Sequence, residues 1–314
     1  MCRVNLSAIP THPKSIPMAV RKDTIFERFL SPIIRSFIDE EKLRQFYESI
    51  DWEAQSDRFR HPDLTYPHYY SSQNFHGIEG GYLNPGASVS YDPITQYVLP
   101  PNETWVRQGL IDSIKGTPRR ILDLGCGTGS TTLMLKQAFP QAQVTGLDLS
   151  PYMLVMADYK AKTAQLNIQW RHGNAEETGL PDASFDLVTA SLLFHETPPT
   201  TAKSILRECF RLLTPGGEVL ILDGNQKTIR QIDWLTEVFE EPYIKDYAAG
   251  SVEAWMGAAG FEIVQTKDLF WVHQVTHALK PIPVKDNCAT AQQVATSSRL
   301  DDDFGSEGIP APAF

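Results

Sequence analysis

The sequence predicts an α/β fold in which a mostly parallel β-sheet carries helices on both faces. Three observations support this class. The apolar runs at 121–124 and 144–147 are short and suit strands that are covered on both sides, as in parallel sheets. Segments with helical spacing separate such runs. A glycine-rich loop at 125–129 joins the first run to a helix, as in nucleotide-binding strand–loop–helix units.

Composition and charge narrow the class of protein. The chain has 314 residues, of which 42% are hydrophobic and 21% charged, as is usual for a globular protein with one core. No apolar run reaches the roughly 18 residues of a membrane span, although a lipophilic ligand would allow peripheral membrane contact. The net charge is −10 and no basic track is visible, which argues against a nucleic-acid partner. The oligomeric state stays open.

The cysteines indicate a reducing compartment. Cys2, Cys126, Cys209 and Cys288 show no paired spacing. Cys126 lies inside the glycine loop, where a disulfide would block the approach of a ligand. We therefore expect a cytoplasmic protein.

Four segments can be distinguished along the chain. Residues 1–22 are expected to be a flexible N-terminus. Residues 23–100 are expected to form an extension of helices and aromatic loops that closes over the sheet as a lid. Residues 101–284 carry the sheet. Residues 285–314 are rich in Ala, Ser and Asp and are expected to be a disordered tail.

The extension divides into two parts. Apolar residues at four-residue steps predict helices over about 25–50. From 51 to 101, tyrosines are mixed with many glycines and prolines, so little regular structure is expected. Tyr82 and Tyr91 are predicted to contact an organic acceptor, because tyrosine offers an apolar ring with a hydrogen-bonding tip. The aromatic residues of this part could equally serve only to pack the lid on the body.

Three histidines of the extension, His61, His68 and His76, raise the question of a metal. They follow one another at steps of seven and eight residues. That spacing matches no helical or finger pattern, and no cysteine or carboxylate pattern accompanies it. No metal site is predicted.

The residues around the glycine loop decide between two kinds of cofactor. A nicotinamide dinucleotide site would require a third glycine at position 130, where the chain has Ser130. The carboxylate of Asp123 is expected to point into the start of the loop, where it would repel a pyrophosphate but attract a cation. S-adenosylmethionine carries an ammonium and a sulfonium, so it is the favoured cofactor. A nicotinamide-dependent oxidoreductase stays the alternative.

The stretch 123–129 resembles motif I, Asp/Glu-x-Gly-x-Gly-x-Gly, of the class I S-adenosylmethionine-dependent methyltransferases. Glycines at alternate positions allow the backbone to turn sharply and to approach a ligand closely. The resemblance implies that the cofactor contacts the residues of this stretch, namely Asp123, Gly125, Cys126, Gly127 and Gly129.

The second strand also ends in an acidic residue. Asp148 lies 25 residues after Asp123, near the distance at which such an acid meets the ribose hydroxyls of a bound nucleotide. We therefore predict that Asp148 and the adjoining Leu149 contact the cofactor. A purely structural role for Asp148 as a cap of its loop stays open. Ser150 and Pro151 are expected to begin the next helix.

Beyond the third strand, the segment Gly-Asn-Ala-Glu at 173–176 resembles a landmark of the same family. In that family a side chain at this point hydrogen-bonds the adenine amino group, and the next backbone amide meets a ring nitrogen. The resemblance implies that Asn174 and Ala175 contact the cofactor. Asn174 keeps an acceptor where aspartate is commoner, but it loses the charge.

The fourth strand is expected to run over 185–193 and to end at the edge of the sheet where ligands bind. Ser191 near its end is predicted to contact the cofactor. Phe194, His195 and Glu196 follow directly and are expected to face the same pocket, with Phe194 and Glu196 as acceptor contacts.

His195 is the candidate catalytic residue, because it has the best position of the eight histidines. A histidine there could accept a proton from a hydroxyl or a carbon acid as the methyl group leaves the sulfonium. Glu196 and Asp223 are carboxylates that could orient its ring, and Asp223 is also a predicted acceptor contact. His195 could equally position the substrate or cap the next loop.

The family's landmarks occur in the right order from Tyr91 to Leu279, including Arg-x-Leu-x-Pro-Gly-Gly at 211–217. They most resemble the ubiquinone/menaquinone-biosynthesis and type 11 small-molecule methyltransferases. The resemblance implies a Rossmann-like, seven-stranded sheet with a C-terminal antiparallel strand pair. It also implies O- or C-methylation of a small acceptor that is aromatic, quinone-like or isoprenoid. A non-catalytic protein that binds S-adenosylmethionine stays open.

Overall fold

The computed structural model describes residues 37–98, 101–232 and 241–283. The described strands are β1 (Arg120–Leu124), β2 (Gln143–Asp148), β3 (Gln169–His172), β4 (Phe185–Ser191), β5 (Leu213–Gly224), β6 (Glu262–Leu269) and β7 (His273–Leu279). The described helices are α1 (Glu40–Glu48), α2 (Trp52–Asp57), α3 (His68–Ser71), α4 (Pro85–Val98), α5 (Glu103–Ile111), α6 (Ser130–Ala138), α7 (Pro151–Thr163), α8 (Pro199–Leu212), α9 (Gln226–Gln231), α10 (Ile244–Ala249) and α11 (Val252–Ala258). Three 3-10 turns lie at Phe75–Gly77, Gly81–Leu83 and Phe194–Glu196.

The seven strands form one sheet in the order β3-β2-β1-β4-β5-β7-β6. The pairs among β1 to β5 are parallel, and β7 pairs antiparallel with both β5 and β6. The predicted seven-stranded, mostly parallel sheet with a C-terminal antiparallel strand pair is confirmed. The chain crosses from β3 over to β4 beside β1, so the strand order reverses next to β1, where α/β sheets bind their ligands.

Helices cover both faces of the sheet, as the alternation of buried side chains along β1 indicates. Ile121 packs in one core cluster with Val106 of α5 and Leu135 of α6. Its neighbour Leu122 packs in another cluster with Ile205 of α8. Successive side chains of a strand point to opposite faces, so the two clusters lie on opposite sides of the sheet. β1 is therefore buried on both faces, as its apolar sequence predicts.

Two local predictions depend on single residues. Ser150 begins α7 as expected: its side chain accepts a hydrogen bond from the backbone N–H of Met153, with Pro151 in the first turn. β4 is shorter than expected and ends at Ser191. The reason is local, because Leu192 has φ +58, which is incompatible with a strand and turns the chain into the 3-10 turn that follows.

The extension contains more regular structure than the sequence suggests. The expectation of little regular structure over 51–101 is wrong, since α4 runs for 14 residues. Pro85 is the first residue of α4, where its missing N–H costs nothing. Pro93 is interior and removes one helical hydrogen bond, a cost that the burial of Val89 and Ala87 helps to offset.

The described residues up to Pro281 form one compact unit. Among the described residues, the extension joins the sheet through a small cluster in which Phe75 and Tyr82 pack on Met153 of α7. The N-terminus at 1–22, most of the first expected helix and the tail at 285–314 lie outside the described residues. Within the described ranges, every helix is too short or too polar to cross a bilayer.

Candidate functional site

A large cavity lies between the carboxyl ends of β1, β2 and β4 and the extension. Together with its open mouth it contains about 840 Å³ of empty space. One wall, which we call the sheet wall, consists of Asp123, Gly125, Cys126, Gly127, Asp148, Leu149, Ala175 and Ser191. The opposite wall, which we call the aromatic wall, consists of Tyr69, Tyr70, Phe75, Tyr82 and Tyr91.

The glycine loop forms the floor of the sheet wall. Gly125, Gly127 and Gly129 all have positive φ, at +61°, +52° and +79°, in the left-handed region that favours glycine. A Cβ on Gly127 would meet no protein atom within 4 Å, so the space beside it is open. Gly127 lines the cavity, whereas Gly129 lies behind the loop as the residue before α6. The open space beside Gly127 is compatible with the predicted cradle, and its contact with a cofactor stays a prediction.

Asp123 takes a different position from the one expected at the start of the loop. Its side chain lies within the fold, where the residue is 1% exposed. One carboxylate oxygen accepts from the hydroxyl of Thr132 at 2.6 Å and the other from that of Thr189 at 2.7 Å. Burial raises the pKa of Asp123 above its usual value, and the hydrogen bonds from the two hydroxyls offset only part of this rise. Asp123 therefore ties β1 to α6 and β4, and its contact with a cofactor stays a prediction.

Asp148 lies at the end of β2, beside the glycine loop. Its Oδ2 accepts from the backbone N–H of Gly127 at 2.8 Å, and its Oδ1 accepts from that of Ser150 at 2.7 Å. Burial raises the pKa of Asp148 to about 6, although both backbone amides lower it. Each oxygen has a second lone pair for a ligand hydroxyl. The carboxylate therefore caps its loop and also lines the cavity, so both roles that the sequence suggests are compatible with one geometry.

The other predicted cofactor contacts differ in position. Leu149, Ala175 and Ser191 line the cavity. The hydroxyl of Ser191 is buried and has no hydrogen-bond partner among the described residues, so it is available to a ligand. Asn174 is not part of the lining; its side-chain oxygen accepts from the backbone N–H of Glu176 at 3.0 Å. Burial raises the pKa of the Cys126 thiol, which stays protonated in the loop.

His195 lies behind the wall of the cavity and is not part of its lining. Its Nδ1 is 2.6 Å from Oδ1 of Asp223, and its ring meets the ring of Tyr247 edge to face at 6.4 Å. Burial would lower the pKa of His195, but the charge and the hydrogen bond of Asp223 raise it to about 9. The ring is therefore an imidazolium at neutral pH. To act as a base it must first release a proton.

Some neighbours of His195 lie in the core, and one lines the cavity. Phe194 was expected to face the cavity, but this prediction is wrong. Its side chain is fully buried in the core cluster beneath α8. Asp223 is also absent from the lining, because its carboxylate accepts from the backbone N–H groups of Phe194 and His195. Glu196 does line the cavity, and its Oε1 accepts from the hydroxyl of Tyr82 at 2.5 Å. Of the three residues at 194–196, only Glu196 has the predicted exposure to the site.

The aromatic wall is larger than the two predicted tyrosines. Tyr82 and Tyr91 line the cavity as expected. Phe75 stacks on Tyr82 with ring centroids 5.3 Å apart, and Tyr69 and Tyr70 complete the wall. The many aromatic residues in this part of the sequence indicate such a wall, but they do not show which of them line the cavity. The sequence also gives no signal for Arg107, a lining residue whose guanidinium donates to Thr131.

Hydrogen bonds attach the extension to the ends of the strands. His172 at the end of β3 accepts from the backbone N–H of His61 through Nδ1, at 2.9 Å. Its Nε2 lies 2.9 Å from the carbonyl oxygen of Leu149. Burial lowers the pKa of His172 to about 4, so the ring is neutral and can accept and donate at once. The hydroxyl of Ser150 donates to the carbonyl oxygen of Tyr82 at 2.6 Å.

A second attachment lies at the glycine loop. Asp92 of α4 accepts from the hydroxyl of Thr128 at 2.5 Å and pairs with Lys160 of α7 at 2.6 Å. Lys160 also donates to the hydroxyl of Ser130 at 2.9 Å. The loop that a cofactor would contact is therefore held partly by the extension, through contacts that no sequence motif reveals.

Comparisons with known proteins show similarity to methyltransferases. Residues 121–217 match a family model described as a methyltransferase domain. The demethylmenaquinone methyltransferase of Deinococcus radiodurans is 39% identical over 119 residues, which cover 38% of this chain and 48% of that protein. That of Thermus thermophilus is 36% identical over 119 residues, covering 38% of this chain and 53% of that protein. The aligned segment thus spans about half the length of these relatives.

A structural comparison supports the fold. Phosphoethanolamine N-methyltransferase 2 of Haemonchus contortus, solved with S-adenosylhomocysteine, superimposes over 70% of this chain and 61% of its own, with a TM-score of 0.51 and 16% identity. The open space beside Gly127, the carboxylate of Asp148 and the free hydroxyl of Ser191 fit a cofactor with a ribose and cationic groups. The match does not favour the oxidoreductase alternative. Residues 121–217 are therefore similar to a methyltransferase domain, and they lie within the seven-stranded sheet described above.

Proposed function

We propose that the whole chain is an enzyme that transfers a methyl group from S-adenosylmethionine to a small organic acceptor. The acceptor is aromatic, quinone-like or isoprenoid, and the methyl group goes to oxygen or carbon. One observation carries the proposal: a single cavity joins the glycine loop and Asp148 to a wall of five aromatic side chains. The cofactor would occupy the sheet wall and the acceptor the aromatic wall.

Several residues of the sheet wall support the assignment of the cofactor. Asp148 would accept hydrogen bonds from the ribose hydroxyls, since each of its oxygens has a free lone pair. Gly127 would allow close approach of the ligand to the backbone. Leu149 and Ala175 would line the adenine, and Ser191 would supply a free hydroxyl. A contact from Asn174 to adenine would require its side chain to leave the N–H of Glu176.

The aromatic wall supports the acceptor class. Burial raises the pKa of Tyr70, Tyr82 and Tyr91, so these phenols are neutral and present rings with polar tips. Rings of this kind bind flat apolar molecules by stacking and edge-to-face contacts. The relatives named as demethylmenaquinone methyltransferases support a quinone-like acceptor. A lipophilic acceptor of this type would also allow peripheral contact with a membrane.

The mechanism assigns separate tasks to the residues of this chain. The sulfonium of the cofactor supplies an activated methyl group. The two walls would hold the acceptor atom in line with that group and exclude water, which provides most of the rate enhancement in such a transfer. His195, oriented by Asp223, stays our candidate for the base, and it would act from its neutral form. If it does not lose its proton, its positive charge would instead stabilise an acceptor anion.

The proposal extends to the organisation of the protein. We propose that residues 23–100 act as a lid on a domain that spans 101–284. A nucleic-acid acceptor is disfavoured by the net charge of −10. The buried free thiols of Cys126 and Cys209 support a reducing compartment, and we propose the cytoplasm.

A labelling experiment tests the proposal. The purified chain is incubated with methyl-labelled S-adenosylmethionine and either a demethylated quinone or fractionated cell extract, and the labelled product is identified. Calorimetry with S-adenosylhomocysteine measures cofactor affinity separately. We expect a labelled lipophilic product that depends on the protein. Binding without any labelled product would instead indicate a non-catalytic binding protein, and oxidation of reduced nicotinamide would revive the oxidoreductase alternative.

A further inference from the structure

Three side chains from separate parts of the chain meet beside the aromatic wall. His76 lies in the 3-10 turn of the extension, Glu196 follows β4, and Glu241 precedes α10. One ligand atom of each lies within 4.8 Å of those of the others. Glu196 also lines the cavity, so the cluster, which we call the His76 cluster, borders the proposed acceptor site.

The His76 cluster is shielded and contains unused donor atoms. The side chain of Glu241 is fully buried and that of Glu196 is 14% exposed. His76 Nδ1 lies 2.7 Å from Oε1 of Glu241, and its Nε2 lies 3.5 Å from Oε1 of Glu196. Neither carboxylate oxygen of Glu241 makes a well-oriented hydrogen bond with any of the described residues. A fully buried carboxylate whose close polar contact among the described residues is one imidazole nitrogen requires an explanation, because its desolvation is costly.

The backbone at His76 adds an independent observation. His76 has φ +51° and ψ +29°, in the left-handed region that side chains other than glycine rarely adopt. Such strain costs free energy and is found preferentially at ligand-binding and catalytic positions. With this backbone conformation, the two ring nitrogens of His76 face Glu241 and Glu196.

We propose that the His76 cluster binds one first-row divalent cation, such as Zn²⁺ or Mn²⁺. One imidazole nitrogen and two carboxylate oxygens are donors that these ions accept, at about 2.0–2.2 Å for zinc. Two buried carboxylates bring two negative charges together, and a divalent cation balances both. Three protein ligands leave at least one coordination position open, as in catalytic zinc sites.

The open position gives the cation a task in the reaction. Glu196 lies on the lining of the cavity, so a cation on its carboxylate would reach an oxygen of the acceptor. It would bind that oxygen and favour its deprotonated form, as cations do for bound water. This role rests on the proposed function, whereas binding of the cation does not.

Metal binding is measured on the full chain without tag, acceptor or cofactor. The protein is dialysed against a chelator, equilibrated with Zn²⁺ or Mn²⁺ alone, and its metal content is determined by mass spectrometry. We expect one equivalent per chain. Glu241→Gln and His76→Asn should each weaken binding by about tenfold or more, since even the loss of an outer partner of a metal ligand has effects of this size.

Two controls separate loss of the site from loss of the fold. Glu253→Gln makes the same chemical change at an exposed position of α11 and should keep the wild-type metal content. Calorimetry with S-adenosylhomocysteine should give the same affinity for every variant, because the cluster lies outside the sheet wall. Substitution with Co²⁺ should give a visible absorption band that Glu241→Gln abolishes.

The proposal is overturned if the wild-type chain takes up no stoichiometric metal, or if both cluster variants bind as much as the wild type. In that case a protonated His76 is the cation between the two carboxylates, and it fastens the extension to the sheet. Because neither cofactor nor acceptor is present, the result is independent of whether the chain transfers a methyl group.

Discussion

The two walls of the cavity differ in how clearly the sequence predicts them. The sheet wall comes from residues between 123 and 191 at the ends of the strands, where short motifs mark them in the sequence, since the glycine loop follows β1 and Asp148 ends β2. The aromatic wall is assembled from residues 69–91, which reach the sheet through contacts such as Ser150 with Tyr82. If the sheet wall binds the cofactor and the aromatic wall the acceptor, as proposed, then short motifs encode recognition of the cofactor, whereas recognition of the acceptor depends on packing of the extension against the sheet. If so, changes in the sheet wall should affect cofactor binding, and changes elsewhere should affect acceptor binding or turnover but not cofactor affinity.

The largest expected effect is on turnover, from His195→Gln. If His195 acts as the base, the variant should lose about 10²–10⁴-fold in kcat, the usual contribution of a general base. Cofactor affinity should stay unchanged, because binding of the cofactor does not depend on the proton transfer. Radiolabelled turnover assays and calorimetry measure the two effects. His68→Gln, an exposed position of α3, is the matched control. If His195→Gln keeps the turnover of the wild type at every pH, His195 is a structural residue only.

The same residue predicts the pH profile of the reaction. The pKa of His195 is about 9, so the neutral form that can accept a proton increases as the pH rises toward that value. Under base catalysis kcat should rise up to about pH 9 and then level off. The variant Asp223→Asn removes the charge that raises this pKa, so its profile should level off at lower pH. A flat wild-type profile would favour the positioning role.

The next effect is on cofactor binding, from Asp148→Ala. The variant removes the acceptor of the ribose hydroxyls and leaves the backbone N–H groups of Gly127 and Ser150 unpaired. The loss of a hydrogen bond to a charged group costs about 1.5–3 kcal/mol, which is about 10- to 150-fold in Kd. Calorimetry with S-adenosylhomocysteine measures it, with Asp246→Ala on the exposed side of α10 as control. Unchanged affinity in a folded variant would remove Asp148 from the cofactor site.

The pKa of Asp148 predicts that cofactor affinity depends on pH. The carboxyl is ionised above its pKa of about 6 and neutral below it. A neutral carboxyl is a weaker acceptor, so cofactor affinity should fall as the pH drops from 7 to 5. Titrations in Asp148→Asn should show a smaller change over the same range. An identical pH dependence in both proteins would assign the effect to another group.

The smallest expected effect is from Tyr82→Phe, which keeps the ring and removes only its hydroxyl. The hydroxyl donates to Glu196, so its loss should reduce stability by up to about 3 kcal/mol and change KM for the acceptor. Cofactor affinity should not change if the two walls act separately. Tyr159→Phe, on an exposed part of α7, is the control. Thermal unfolding and steady-state kinetics distinguish the effects, and a weaker cofactor affinity would contradict the separation of the walls.

The difference between the walls also explains what the sequence could reveal. The order of the strands, the glycine loop and the position of Asp148 beside the cavity follow from short motifs whose spacing reflects local geometry. The position of Phe194 could not be predicted, because one positive φ at Leu192 ends β4 early and turns the next residues. The meeting of His76 with Glu241 joins residues 165 positions apart, so no spacing rule indicates it. The charge of His195 depends on Asp223, which is contributed by a different strand.

Ser150 connects the two walls through consecutive hydrogen bonds. Its backbone N–H donates to Asp148, its hydroxyl donates to the carbonyl of Tyr82, and the hydroxyl of Tyr82 donates to Glu196. A ligand that engages Asp148 therefore acts on the same connected set of groups as a ligand beside Glu196. We expect that each substrate changes the affinity of the other, and thermodynamic linkage requires the same factor in both directions. Ser150→Ala should weaken this interdependence while both substrates still bind.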